Sequence, residues 1–105
     1  MDLYSLEELN MEDNRLMFID FYSFEYLSKL KIAKFSKNNL TLYKDPEQDI
    51  YGKMSPFQYC MSLEELYLAN NNISEIFFDW THLSRLRKLD LNYNNVPYIT
   101  VSKNT

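Results

Sequence analysis

Four asparagines stand at one offset in a repeating frame of apolar residues, and this periodicity limits the chain more than any other feature. Residues 63–73 show it most fully, with Leu63, Leu66 and Leu68 followed by Asn71 and Ile73. The frame returns as Leu6, Leu9, Met11, Asn14 and Leu16; as Leu30, Ala33, Phe35, Asn38 and Leu40; and as Leu86, Leu89, Leu91, Asn94 and Val96. Steps of 24, 33 and 23 residues separate the asparagines. A unit of that length, recurring in phase, points to coils stacked along one axis.

The spacing within a unit has a physical reason. Alternation around Leu66 and Leu68 sends two apolar side chains to one face of a short strand, with Glu65 and Tyr67 on the other. A single unit cannot bury its apolar face, so units stack and their strands pair in parallel. Asn14, Asn38, Asn71 and Asn94 fall where each strand ends and the chain turns inward. A side-chain amide both donates and accepts, so a row of them is predicted to satisfy buried peptide groups that the sheet does not reach.

On these residues the chain resembles the leucine-rich-repeat superfamily over nearly its whole length. Residues 63–76, with Asn71, Ile73 and Ile76 in an N-x-I-x-x-I pattern, are most similar to its short intracellular subclass. That subclass includes a protein phosphatase regulatory subunit, an axonemal dynein light chain and a spliceosomal ribonucleoprotein subunit. The resemblance implies an α/β repeat fold: a right-handed solenoid with a parallel concave β-sheet and an irregular, 3₁₀ or short-helical convex side. It also implies a function, binding of another protein through the concave face. Met11, Ala33, Phe35 and the tandem Phe77-Phe78 depart from the pattern, which bears on the subclass rather than the superfamily.

The organisation expected is one domain of four repeats, at about 6–29, 30–62, 63–85 and 86–105, after a short lead-in. Phe21, Phe24 and Leu27 are spaced by three, as in a short helical or 3₁₀ return along the convex side. Ile76, Phe77, Trp80 and Leu83 return in the same way, and Phe57 and Cys60 take the corresponding places before Leu63, which assigns Cys60 to the core. The second repeat carries roughly ten extra residues near 44–56, bracketed by Pro46 and Pro56 and holding the only glycine. This segment is either a tolerated surface insertion or a partner-contacting loop. No polar capping unit follows the last repeat, so the chain is expected to be a fragment of a longer array, or to have that end covered by a partner.

Composition removes several function classes. The net charge is −4, so no overall basic field favours nucleic acid. Lys29, Lys31, Lys34 and Lys37 form a local basic patch, and Arg85, Arg87 and Lys88 another, but Glu64, Glu65 and Asp90 interrupt any phosphate track. Nucleic acid is therefore expected only within a ribonucleoprotein held mainly by protein contacts. A single cysteine makes no internal disulfide and favours a reducing, intracellular setting, cytoplasmic or nuclear. One cysteine and one histidine, His82, cannot supply a zinc site, and one glycine cannot build a phosphate loop. The pairs Glu7-Glu8 and Glu64-Glu65 recur at the same repeat positions, which marks them as repeat residues rather than catalytic carboxylates. No enzyme activity, cofactor, small-molecule substrate or membrane span is expected.

The outward strand positions give the candidate binding face. They are Glu8, Asn10, Glu12 and Asp13 in the first repeat, and Ile32, Lys34, Ser36 and Lys37 in the second. The third supplies Glu65, Tyr67, Ala69 and Asn70, and the fourth Lys88, Asp90, Asn92 and Tyr93. Parallel neighbours about 4.8 Å apart would set the acidic first strand beside the basic second and Asp90 beside Tyr67. That ladder serves either as charge pairing on a solvated face or as a mixed-charge docking face anchored by Tyr67 and Tyr93.

Overall fold

A computed structural model of the chain describes residues 3–20, 22–42, 56–74 and 83–95. After a 3₁₀ helix at Leu3–Ser5 come four short strands: β1 (Glu8–Asn10), β2 (Ile32–Lys34), β3 (Glu65–Tyr67) and β4 (Lys88–Asp90). They form one parallel sheet in the order β1-β2-β3-β4. The register sets Leu9, Ala33, Leu66 and Leu89 side by side, each the middle residue of its strand. Phase in the sequence has therefore become register in the sheet. The 33-residue step of the second repeat does not disturb it, because extra residues outside a strand leave its pairing untouched.

Backbone bonds between coils continue past the strands. Met11, Phe35 and Leu68 donate their N–H groups to Lys34, Tyr67 and Asp90 of the next coil, all at 2.8 Å. Two residues on, Asp13, Lys37 and Asn70 donate to Ser36, Ala69 and Asn92. The chain then turns inward through a left-handed residue in every repeat: Asp13, Lys37, Asn70 and Tyr93 have φ of 57°, 60°, 56° and 59°. Aspartate and asparagine tolerate that conformation, whereas a lysine or tyrosine there costs about 1 kcal/mol or more.

Immediately after each left-handed residue comes an asparagine of the frame. The Asn71 amide nitrogen donates to Leu68 and Ala69 in its own coil and to Phe35 in the preceding one, at 3.0, 3.2 and 3.0 Å. Its oxygen accepts from Leu40 N–H at 3.0 Å. Asn38 repeats this set with Phe35, Ser36, Met11 and Leu16 N–H, and Asn94 with Leu91, Asn92, Leu68 and Ile73 N–H. Among the described residues Asn14 makes only the bonds within its own coil, to Met11 and Glu12.

Burial follows the stacking. In the two middle coils Leu30, Ala33, Phe35, Leu40, Leu63, Leu66, Leu68 and Ile73 are at most 2% exposed. The corresponding Leu6, Leu9, Met11 and Leu16 of the first coil, and Leu86, Leu89 and Leu91 of the fourth, are partly buried and pack against that core. Ala33 and Phe35 point to the same side of the second coil, so the large ring offsets the small neighbour in volume. Phe35 meets Phe24 and Phe57 at centroid distances of 5.7 and 5.8 Å. Phe57, Cys60 and Leu83 lie in the same core.

The first return takes the tighter of the two forms its spacing suggests, with bonds spanning three residues and no continuous helix. Residues 22–26 run through successive turns, with Ser23, Glu25 and Leu27 donating to Asp20, Tyr22 and Phe24. The apolar side chains of this stretch satisfy the core without a continuous helical run. Phe21, the return through Ile76, Phe77, Trp80 and His82, the insertion at 44–55 and the tail at 96–105 lie outside the described residues.

Candidate functional site

The outward face of the sheet is read in rows across the four strands. One row is Glu8, Ile32, Glu65 and Lys88, and the next is Asn10, Lys34, Tyr67 and Asp90. Their alternation with the inward middle row is the ordinary pleat of a strand. Asp90 does stand beside Tyr67, and the acidic first strand beside the second. Lys34 Nζ lies 3.6 Å from Glu8, and Lys31 Nζ 3.4 Å from Glu7. These are exposed pairs, worth about 0–1 kcal/mol each, and they neutralise rather than stiffen the face.

Around Tyr67 the arrangement is tighter. Its hydroxyl donates to one oxygen of Glu65, while Arg87 donates to the other at 2.7 Å. Lys88 Nζ sits 5.0 Å from the Tyr67 ring centroid, a cation–π contact. The Tyr67 hydrogen bond does most to hold the Glu65 carboxyl below the usual glutamate value, and Arg87 and Lys88 act in the same direction against the desolvation that opposes them. Both ends of the tyrosine are thus tied, so its ring is presented with little rotamer freedom left to lose on binding.

Some outward candidates have other work. Asn10 and Asp90 accept the N–H groups of Glu12 and Asn92, both at 3.0 Å, closing their own turns. Ser36 and Ala69, expected on the outward face, are buried, and the Ser36 hydroxyl accepts from Ala69 N–H at 3.1 Å. The reason is length: each strand lasts three residues, and beyond it the chain is already turning inward, so alternation no longer assigns faces. Glu12, Asp13, Lys37, Asn70 and Asn92 are exposed around these turns, and Tyr93 is 80% exposed at its left-handed position.

Arg87 was not among the expected face residues. It bridges Glu65 and Glu64, the latter at 3.5 Å, from the position just before the strand. Glu7, Lys31, Glu64 and Arg87 share that offset and alternate in sign, a pattern open to a reading of the sequence by repeat position. Elsewhere the chemistry is sparse. Burial pushes the Cys60 thiol up to about 12. Among the described residues no group of three or more His, Cys, Asp or Glu could hold a metal ion, and no helix is long and apolar enough to cross a membrane.

Comparison with known proteins bears on the fold. A model of leucine-rich repeats in two copies matches residues 62–100, and a single leucine-rich repeat matches residues 5–27. Neither segment includes the second copy, where Ala33, Phe35 and the insertion depart from the pattern. An internalin from Listeria monocytogenes has a similar structure, with a TM-score of 0.66 and 25% identity over 92% of this chain. The chain spans only 24% of that protein's length. Proteins of this architecture generally mediate protein–protein interaction and are typically not enzymes. The chain carries leucine-rich repeats, and it folds as a leucine-rich-repeat solenoid.

Proposed function

We propose that the chain is a scaffold or adaptor that binds another protein, or a protein assembly, through the concave sheet face. The observation that carries this reading is Tyr67, held between Glu65 and Lys88 at the centre of that face. Tyr93 stands exposed in the neighbouring coil, where a smaller polar residue would suit the backbone better. A pre-ordered aromatic on the sheet, with an exposed second one in the turn of the next coil, is the composition of an interface anchor. Lys34, Lys37, Lys88, Asn70 and Asn92 would supply the polar rim. Asn71, Ile73 and Ile76 support placement in the short intracellular subclass, and the single cysteine supports a cytoplasmic or nuclear location.

A second reading makes the chain a structural component of a ribonucleoprotein. The pairing of Lys31 with Glu7 and Lys34 with Glu8 favours protein contacts over a phosphate track in such an assembly. The test is quantitative recovery of binding partners by the wild type and by the double variant Lys34→Glu/Tyr67→Ala. Loss of an aromatic anchor should lower recovery by about tenfold or more. Undiminished recovery defeats the concave-face reading, and strongly salt-dependent retention of RNA favours the ribonucleoprotein.

A further inference from the structure

The return side of the first two coils brings tyrosine rings and carboxylates together. Tyr22 begins a tight turn in which the Glu25 N–H donates to the Tyr22 carbonyl at 3.3 Å. In a turn closed over three residues the side chains at its two ends eclipse, so the Glu25 carboxylate lies on the same side as the Tyr22 ring. Asp20 holds the start of this turn, one carboxylate oxygen accepting the Tyr22 N–H at 2.9 Å. Glu25 is exposed, and Tyr22 is 45% exposed.

The Tyr22 ring leans on Tyr59 of the second coil, with centroids 6.1 Å apart and planes tilted by 34°. That contact bridges two coils, so it does not rest on what precedes the first. Tyr59 is half-buried, and its phenol is pushed up by burial first, then by Tyr22 and Glu25. Glu25 is also the leading cause that raises the Tyr26 phenol. Neither Glu25 nor Asp20 forms an ion pair with a described residue, and no described cation lies over the Tyr22 ring.

The geometry says which cation suits this place. Tyrosine faces attract cations through the ring quadrupole, and carboxylates add charge-assisted hydrogen bonds. Two rings stacked at 6.1 Å leave no slot between them, so they cannot surround an ammonium as converging faces do. They offer one outer face with carboxylates at its rim. A guanidinium is flat, stacks on such a face and donates sideways in its own plane.

We propose that Tyr22, Tyr59, Glu25 and Asp20 form an arginine-accepting site, occupied by an arginine side chain of a partner protein. Tyr22 provides the stacking face, Tyr59 backs it, and Glu25 accepts from the guanidinium edge. Asp20 adds negative charge while one of its oxygens stays with the Tyr22 N–H. The site lies in the returns rather than on the sheet face, and neither reading depends on the other.

The probe is a blocked glycine–serine peptide with a central arginine, titrated into the isotope-labelled full chain and followed by backbone amide shifts. Peptides with citrulline or lysine in its place are the controls. Citrulline keeps the planar shape without the charge, and lysine keeps the charge without the plane. The arginine peptide should shift the amides of Tyr22, Glu25 and Tyr59 and bind about tenfold more tightly than the citrulline peptide. It should also bind severalfold more tightly than the lysine peptide. Tyr22→Leu keeps apolar bulk against Tyr59 and should weaken arginine binding about fivefold. Glu25→Gln leaves the turn intact, because its bond uses the main chain, and should weaken binding by a similar factor. The amide spectrum of each variant reports whether it is folded. Equal affinity for arginine and either control, shifts centred on Tyr67 instead, or indifference to Glu25→Gln overturns the proposal. So does a dimer in sedimentation that Tyr22→Leu abolishes, since the occupant would then be a second copy of the chain.

Discussion

Replacing Asn71 by alanine tests how the asparagine row holds the coils together. The side chain makes four bonds, but their loss is not equal. The carbonyl of Ala69 keeps the Lys37 N–H, that of Phe35 keeps Asn38, and that of Leu68 keeps Asn94. Leu40 N–H has no such second partner: its bond is to the Asn71 oxygen, and Leu40 itself is fully buried. An orphaned buried donor costs about 1–3 kcal/mol, and the halved bonding at three carbonyls brings the total to about 2–4 kcal/mol. Asn14→Ala provides the internal control. Its two carbonyl partners are either bonded also by Asn38, as Met11 is, or exposed, as Glu12 is, and no described N–H donates to its oxygen. That substitution should cost less than about 1 kcal/mol. In urea unfolding, Asn71→Ala should lower the midpoint by about 1–2 M with the slope preserved, and Asn14→Ala by much less. Equal midpoints for the two variants would refute the reasoning, because they would mean that the inter-coil half of the row adds nothing.

Three further outcomes follow from the same geometry. Tyr93→Asn should raise stability by up to about 1 kcal/mol, because asparagine suits φ of 59° better than tyrosine, and if Tyr93 is an anchor the same change should weaken partner binding; thermal unfolding and binding measured together check both halves. Because the folded Glu65 carboxyl ionises below its ordinary value of 4.5, its contribution is present above that pH and lost as pH falls through the lower folded value, so the wild type should lose more stability on acidification than Tyr67→Phe, which removes the leading cause. Cys60, with its thiol pushed up to about 12 and no exposed surface, should react with a thiol reagent at pH 8 only at the rate of unfolding, and fast modification of the native chain would contradict its burial.

Much of this arrangement was legible because it is periodic. The inward row of Leu9, Ala33, Leu66 and Leu89 and the inter-coil amides follow from a frame that can be counted along the chain, insertion included. Asp90 beside Tyr67 follows from register alone. What escaped depends on where a period ends. Ser36 and Ala69 continue the alternation on paper, yet a three-residue strand has already given way to the turn. The left-handed residue before each asparagine is suggested by Asp13 and Asn70 but disguised by Lys37 and Tyr93, whose types give no hint of it. Arg87 escaped because it stands just before its strand, outside the alternation that picks outward positions, although Glu64 holds the same offset in the adjacent coil.

The in-phase stacking of the four coils is the claim on which the proposed binding face rests, and solution NMR tests it most directly through backbone contacts between strands. The account predicts parallel-sheet cross-peaks connecting Glu8 with Ile32, Ile32 with Glu65, and Glu65 with Lys88, together with slow exchange of the Leu40 and Ile73 amides. Cross-peaks shifted by one residue, which would turn Leu66 outward, or fast exchange of those two amides would contradict it.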